Sequence, residues 1–167
     1  MERADSGKTS RHRYTTGDPA IDAKLNELVS VVGDRFDRTL LAQLMTSVYR
    51  LGKEQTTTGD LKLLNASLKE LRHAFKVFRP YRHVRKVATF GSSRVSSKYP
   101  SYGMAQEFGR QMAKAGWMVI TGAASGIMKA GHEGAGRAAS FGLNIRLPFE
   151  QMANVVIAKD AKLINCK

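Results

Sequence analysis

Two stretches of this sequence set a short apolar run against a glycine-containing turn, an arrangement that can hold an anion. The fuller one is Trp117–Ala139, WMVITGAASGIMKAGHEGAGRAA. Trp117–Thr121 is apolar and β-rich enough for a buried strand, and Gly122 breaks it. Small residues follow to Gly126, and from Ile127 the pattern turns helical, with interior glycines at Gly131 and Gly134. Ser125 is placed to cap that helix. The second stretch is Val87–Phe90, a short apolar run followed at once by Gly91-Ser92-Ser93-Arg94. A turn that leads from a strand into a helix aims unpaired backbone N–H groups, and the positive end of the helix dipole, at a negative ligand. The same turns also occur where nothing binds, because glycine supplies positive φ and close packing. The turn at Gly122–Gly126 is read as phosphate-binding, with the rest of the chain as the arbiter.

The charge agrees with that chemistry. The chain has 167 residues, 27 of them basic and 14 acidic, a formal charge of +13. No acidic residue stands between Glu70 and Glu107, whereas Arg72, Lys76, Arg79, Arg82, Arg85, Lys86, Arg94 and Lys98 all fall there. Such a run attracts phosphate, on a nucleotide or a nucleic acid, although most of these side chains read individually as a solvated face. No apolar run is long enough to span a membrane, and the first residues, MERADSGKTSRHR, lack a signal peptide's apolar core. The single cysteine, Cys166, excludes an internal disulfide and suits a cytoplasmic setting. His12, His73, His83 and His132 have no metal-ligand spacing, so neither a metal nor another cofactor is expected.

The elements that must position these turns can be read in order. Residues 1–17 are polar, basic and aperiodic, a disordered arm. Residues 18–83 form an all-helical region. Asp18 with Pro19 starts a first helix carrying Ile21, Leu25, Leu28, Val29 and Val32 on one face and ending near Gly33. A second runs over about Arg38–Leu51, with Gly52 just beyond it. Gln55–Gly59 is a linker, and Asp60 caps the longest helix, whose stripe Leu64, Leu68, Leu71, Phe75, Phe78 is a packing face for the sheet domain or a second copy. Arg79-Pro80 ends it. From 84 to 167 strands alternate with helices: Val87–Phe90, a helix over Tyr102–Ala115 closed by Gly116, Trp117–Thr121 with its helix, and Leu143–Leu147 after Gly142. That alternation predicts an α/β, Rossmann-like parallel sheet. Three visible strands are few for a doubly wound domain, so the chain is expected to be the front part of a larger protein, with an open sheet edge after Leu147.

Lys86–Arg94 (KVATFGSSR), Val119–Ala135 (VITGAASGIMKAGHEGA), Ser140–Gln151 (SFGLNIRLPFEQ) and Asp160–Asn165 (DAKLIN) resemble, in order, the LOG (Lonely Guy) family of nucleotide-binding Rossmann-like proteins. The closer likeness is to its longer members, formerly labelled lysine decarboxylases. The resemblance implies hydrolysis of the N-glycosidic bond of nucleoside 5′-monophosphates to free base and ribose 5-phosphate. By it, Gly91, Ser92 and Ser93 line the nucleotide pocket, with Arg94 near a phosphate or ribose. Gly122, Ser125, Gly126 and Met128 form the companion turn. It also implies a homo-oligomer in the full-length form.

The departures shape the expectation. Where the family reads more like TGGGPGIME, this chain has Ala123 and Ala124 for glycine, Ser125 for proline and Lys129 for the acidic residue. The PGGxGTxxE segment and its partner arginine, which the family uses at the anomeric centre, are absent. Glu133 and Glu150 match neither position and read as surface or structural. The chain by itself is therefore expected to bind a nucleoside monophosphate weakly or not at all, to turn none over, and to be poorly soluble. Two alternatives stand beside this reading. TGAASGI (Thr121–Ile127) also resembles the NAD(P) turn of short-chain dehydrogenases, but their Tyr-x-x-x-Lys pair occurs only as Tyr49 and Lys53, upstream of it. A non-catalytic nucleotide- or nucleic-acid-binding module would draw on the +13 charge.

Overall fold

The computed structural model describes residues 14–32, 37–145 and 152–166. It divides into two compact units, the first reaching Leu64 and the second beginning at Asn65.

The first unit holds helices α1 (Pro19–Ser30) and α2 (Arg38–Lys53) and the first turns of α3 (Thr58–Phe78). Asp18 caps α1 as expected: its carboxylate accepts the N–H groups of Ala20 and Ile21, with proline following in the first helical turn. The helix ends at Ser30, short of the expected end near Gly33, which itself lies outside the described residues. Asp37 caps α2, and Gly52, expected just past that helix, lies inside its last turn. At the head of α3 the cap is Thr57, not Asp60. The Thr57 hydroxyl takes the Asp60 N–H at 3.2 Å and donates to the Asp60 carboxylate at 2.7 Å, so Asp60 is the returning member of the capping pair. Tyr14 and Thr15 are tied to α2, because the Arg50 guanidinium lies 4.4 Å over the Tyr14 ring and donates to the Thr15 carbonyl. Of the segment expected as an arm, residues 1–13 lie outside the described residues.

The second unit is built on a four-stranded, all-parallel sheet in the order β1 (Lys86–Ala88), β2 (Met118–Thr121), β3 (Ser140–Ile145), β4 (Leu163–Cys166). Helix α4 (Pro100–Lys114) joins β1 to β2, and α5 (Ile127–Ala135) joins β2 to β3. This is the α/β parallel arrangement that the alternation predicts. The core sits on β2 and β3, where Val119 and Phe141 are fully buried. Phe78, at the end of α3, stacks on Phe141 at 4.5 Å between ring centroids, and Tyr81 meets the same ring edge-on at 5.1 Å.

Beyond β1, which spans Lys86–Ala88 rather than Val87–Phe90, two strand assignments depart from the sequence reading. β3 begins at Ser140, two residues before Gly142, which was expected to precede it. Gly142 pairs with Thr121 on one side and Leu163 on the other, and a side chain there would run into Leu163 and Ala123. It is a glycine of close approach, not of a turn. The residues beyond Ile145 that were expected to complete this strand, Arg146 and Leu147, lie outside the described residues. The other departure is β4. The sequence shows three strands and an open edge after the third, yet Leu163–Cys166 pairs in register with Gly142–Ile145.

The stripe on α3 divides as well. Phe78 packs against Phe141, whereas Leu64, Leu68, Leu71 and Phe75 are all exposed, Phe75 at 70%.

Candidate functional site

The two glycine turns stand at the carboxyl ends of neighbouring parallel strands, β1 and β2, the end where open α/β sheets bind ligands. They interlock. The Ile127 N–H donates to the Ser92 carbonyl at 3.1 Å, and the Ser125 hydroxyl donates to the Ser93 carbonyl at 2.8 Å. Glycine is required twice at this seam. A Cβ on Gly91 would strike the Ile127 side chain, and one on Gly126 would strike the Ser92 and Ser93 backbone. Gly126 is also at φ +63°, a conformation that disfavours any residue with a Cβ.

Gly126, not Ser125, stands at the N-cap of α5. The expected Ser125 cap fails for a visible reason: its hydroxyl bridges to Ser93, and the backbone turns at Gly126. As a result, the first turn of α5 has no side-chain cap. Ile127 N–H is satisfied by Ser92, but the N–H groups of Met128 and Lys129 have no partner among the described residues. Neither do those of Ala124 and Ser125. Unpaired donors at a helix N-terminus, with the macrodipole behind them, suit an anion.

The remaining residues expected at the site fall around this seam. Gly122 lies against Met128, whose sulfur would be 3.0 Å from a Cβ on that glycine. Ser92 accepts the Arg94 N–H on its hydroxyl at 3.2 Å, and the Arg94 side chain is exposed. Thr89, at the carboxyl end of β1, has a hydroxyl that is buried without a partner among the described residues.

Beneath the second turn lies a polar web that the sequence reading did not find. His132 on α5 is fully buried. Its Nε2 is 3.0 Å from the Phe141 carbonyl, which can only accept, so that nitrogen carries the proton. Nδ1 is then an acceptor, and it faces the Asn154 amide nitrogen at 3.2 Å. The same amide nitrogen reaches the carbonyls of Ala123 at 2.9 Å and Ala124 at 3.1 Å. Thr121 Oγ1 takes the Ala123 N–H at 2.9 Å and lies 3.1 Å from His132 Nε2. Burial depresses the His132 pKa below the ordinary imidazole value, so the ring is neutral at pH 7. No spacing signal joins Thr121, His132 and Asn154, because they come together only through β2, α5 and the segment after β3.

Glu133 is structural. Its carboxylate accepts from the Tyr102 hydroxyl at 2.8 Å and pairs with Lys129 at 3.3 Å on the next turn of α5. Burial, and then Glu133 itself, push the Tyr102 pKa up to about 12, which keeps the phenol a donor. Glu150 lies outside the described residues. Among the described residues no cluster of His, Cys, Asp and Glu could hold a metal ion.

Residues 84–160 match the SLOG cluster4 family. That superfamily includes the LOG family, and the match covers both glycine turns and the Asn154 segment. The match points to a nucleotide-related function. A comparison with curated proteins finds no match. Among the described residues no helix is long and apolar enough to cross a membrane.

Proposed function

We propose that the paired turns of this SLOG domain bind a nucleoside 5′-monophosphate, with the phosphate at the N-terminus of α5. The observation that supports this reading is the interlock itself. Ser92, Ser93, Ser125 and Gly126 hold two strand ends together, and beside them the donors of Ala124, Ser125, Met128 and Lys129 stand without partners among the described residues. Arg94, exposed at the end of the first turn, adds a guanidinium for phosphate or ribose. The LOG resemblance makes the N-glycosidic bond the one at stake. Breaking it calls for a carboxylate near the anomeric carbon, and Glu133 is held by Tyr102, Gln106 and Lys129. The reading is therefore weak nucleotide binding with no turnover by this chain.

Titration calorimetry with AMP, GMP, CMP and UMP tests it, alongside an assay for released ribose 5-phosphate. Binding is expected to weaken about 10-fold in Arg94→Ala with the thermal midpoint unchanged, as for a lost charge-assisted hydrogen bond. Binding untouched by Arg94→Ala would move the phosphate elsewhere. Release of ribose 5-phosphate well above a Gly126→Asp control would overturn the claim of inactivity. The dehydrogenase alternative is disfavoured by the SLOG match and by the place of its would-be pair: Tyr49 and Lys53 lie on α2 in the first unit. The homo-oligomer rests on the uncovered stripe of α3. Leu64, Leu68, Leu71 and Phe75 are spaced 4, 3 and 4, which reads the same in either direction and so fits a second copy laid antiparallel.

A further inference from the structure

Ala123 stands where it should not be comfortable. Its φ is +62°, the left-handed region that Cβ opposes, and it is fully buried in the turn that leads to α5. A residue persists in such a conformation only where its surroundings fix it. We propose that Asn154 is the positioning residue that clamps Ala123 in this conformation and so aims the donors of the phosphate turn. The ligand in this statement rests on the nucleotide reading above; the clamp rests on geometry alone.

Both peptide planes that meet at Ala123 are held from outside. The plane before it is fixed by the Ala123 N–H donating to Thr121 Oγ1 at 2.9 Å. The plane after it is fixed by two donors on the Ala123 carbonyl, the Asn154 backbone N–H at 2.7 Å and its side-chain amide at 2.9 Å. Because φ and ψ are the rotations between those planes, fixing both fixes Ala123. The amide also donates to the Ala124 carbonyl at 3.1 Å, which holds the next plane. Carbonyl and N–H point opposite ways across a trans peptide. With the carbonyls of Ala123 and Ala124 drawn toward Asn154, the N–H groups of Ala124 and Ser125 are turned away from it, and these have no partner among the described residues.

Asn154 is itself held in one orientation. It is 7% exposed, its oxygen accepts the Val156 N–H at 3.2 Å, and its nitrogen faces the unprotonated Nδ1 of His132. A flipped amide would set its oxygen against two carbonyls and a lone pair. Where the LOG family turn has glycine, this chain has alanine plus a clamp.

A double-substitution cycle tests the idea. Asn154→Ala is expected to lower the thermal midpoint by about 5 °C, as for buried hydrogen bonds lost from a domain of this size, and to weaken AMP binding about 10-fold or more. Ala123→Gly, which accepts φ +62° without a clamp, is expected to change the intact protein little. In the Asn154→Ala background it should raise the midpoint and restore part of the AMP affinity. Equal shifts from Ala123→Gly in both backgrounds would overturn the clamp. If wild type does not bind AMP, the nucleotide reading fails, while the midpoint cycle still decides the clamp. Should Asn154→Ala not fold, Asn154→Ser keeps a backbone donor and a shorter polar side chain, and the same background dependence decides.

Discussion

The buried imidazole of His132 makes a prediction at the scale of one residue. Its folded pKa lies below the ordinary value of about 6.5, with burial the largest cause. Above that value the ring is neutral in both folded and unfolded chains, and stability does not depend on it. Below it the unfolded chain takes up a proton that the folded chain resists. Stability therefore falls as pH drops from about 6.5 toward the folded pKa, at up to about 1.4 kcal/mol per pH unit. Thermal midpoints measured from pH 7.5 to 5 should show that slope in the wild type and a flatter profile in His132→Gln. Parallel profiles would assign the acid sensitivity to other groups. The residue types at the turns were legible beforehand: glycine and serine in short runs after apolar segments. Their division of labour was not, because the choice between Ser125 and Gly126 as cap depends on Ser93, which reaches the turn from another strand.

At the scale of elements, α4 and α5 meet through glycine. A Cβ on Gly134 would enter the Gln106 carbonyl, and one on Gly109 would enter the Gly131 carbonyl. Gly103, also on α4, has nothing within contact distance. Gly134→Ala is expected to destabilise by about 2 kcal/mol or more, since backbone cannot move aside as a flexible side chain can. Gly103→Ala should be stabilising by about 0.5–1 kcal/mol through helix propensity. Denaturant unfolding of the two variants checks the contrast, and similar effects at both positions would mean the helices are not in close contact. On α3 the uncovered stripe predicts association: light scattering should show a dimer that Leu71→Asp converts to monomer. A wild-type chain that stays monomeric at high concentration would leave the stripe to some other partner.

At the scale of the molecule, a charge of +13 and a run without acidic residues from Leu71 to Gln106 raise the question of nucleic acid. A site built from turn amides should bind a mononucleotide with modest salt dependence. A phosphate-tracking basic face should bind single strands with affinity that falls steeply with salt. Fluorescence anisotropy with a labelled oligonucleotide between 50 and 200 mM salt, about the range over which such contacts weaken most visibly, separates them. Competition by excess AMP is the expected outcome at the turns, and tight, salt-steep, AMP-insensitive binding would favour the binding-module alternative.

The sequence by itself determined the alternation of strand and helix, the parallel sheet, the two glycine turns and the likeness to the LOG family. These follow from local periodicity, from glycine's φ freedom and from contiguous motifs, all of which are written in neighbouring residues. Only the tertiary structure decided that the turns lock together through Ser125 and Gly126, that Gly142 lies within a strand, and that Leu163–Cys166 adds a fourth. The web of Thr121, His132 and Asn154 is likewise tertiary. Thr121 and His132 lie in the stretch around the second glycine turn and Asn154 far from it, and their joint meaning comes from hydrogen bonds that close only when β2, α5 and the segment after β3 meet. Buried polar groups must find partners, and which partners they find is fixed by packing rather than by spacing.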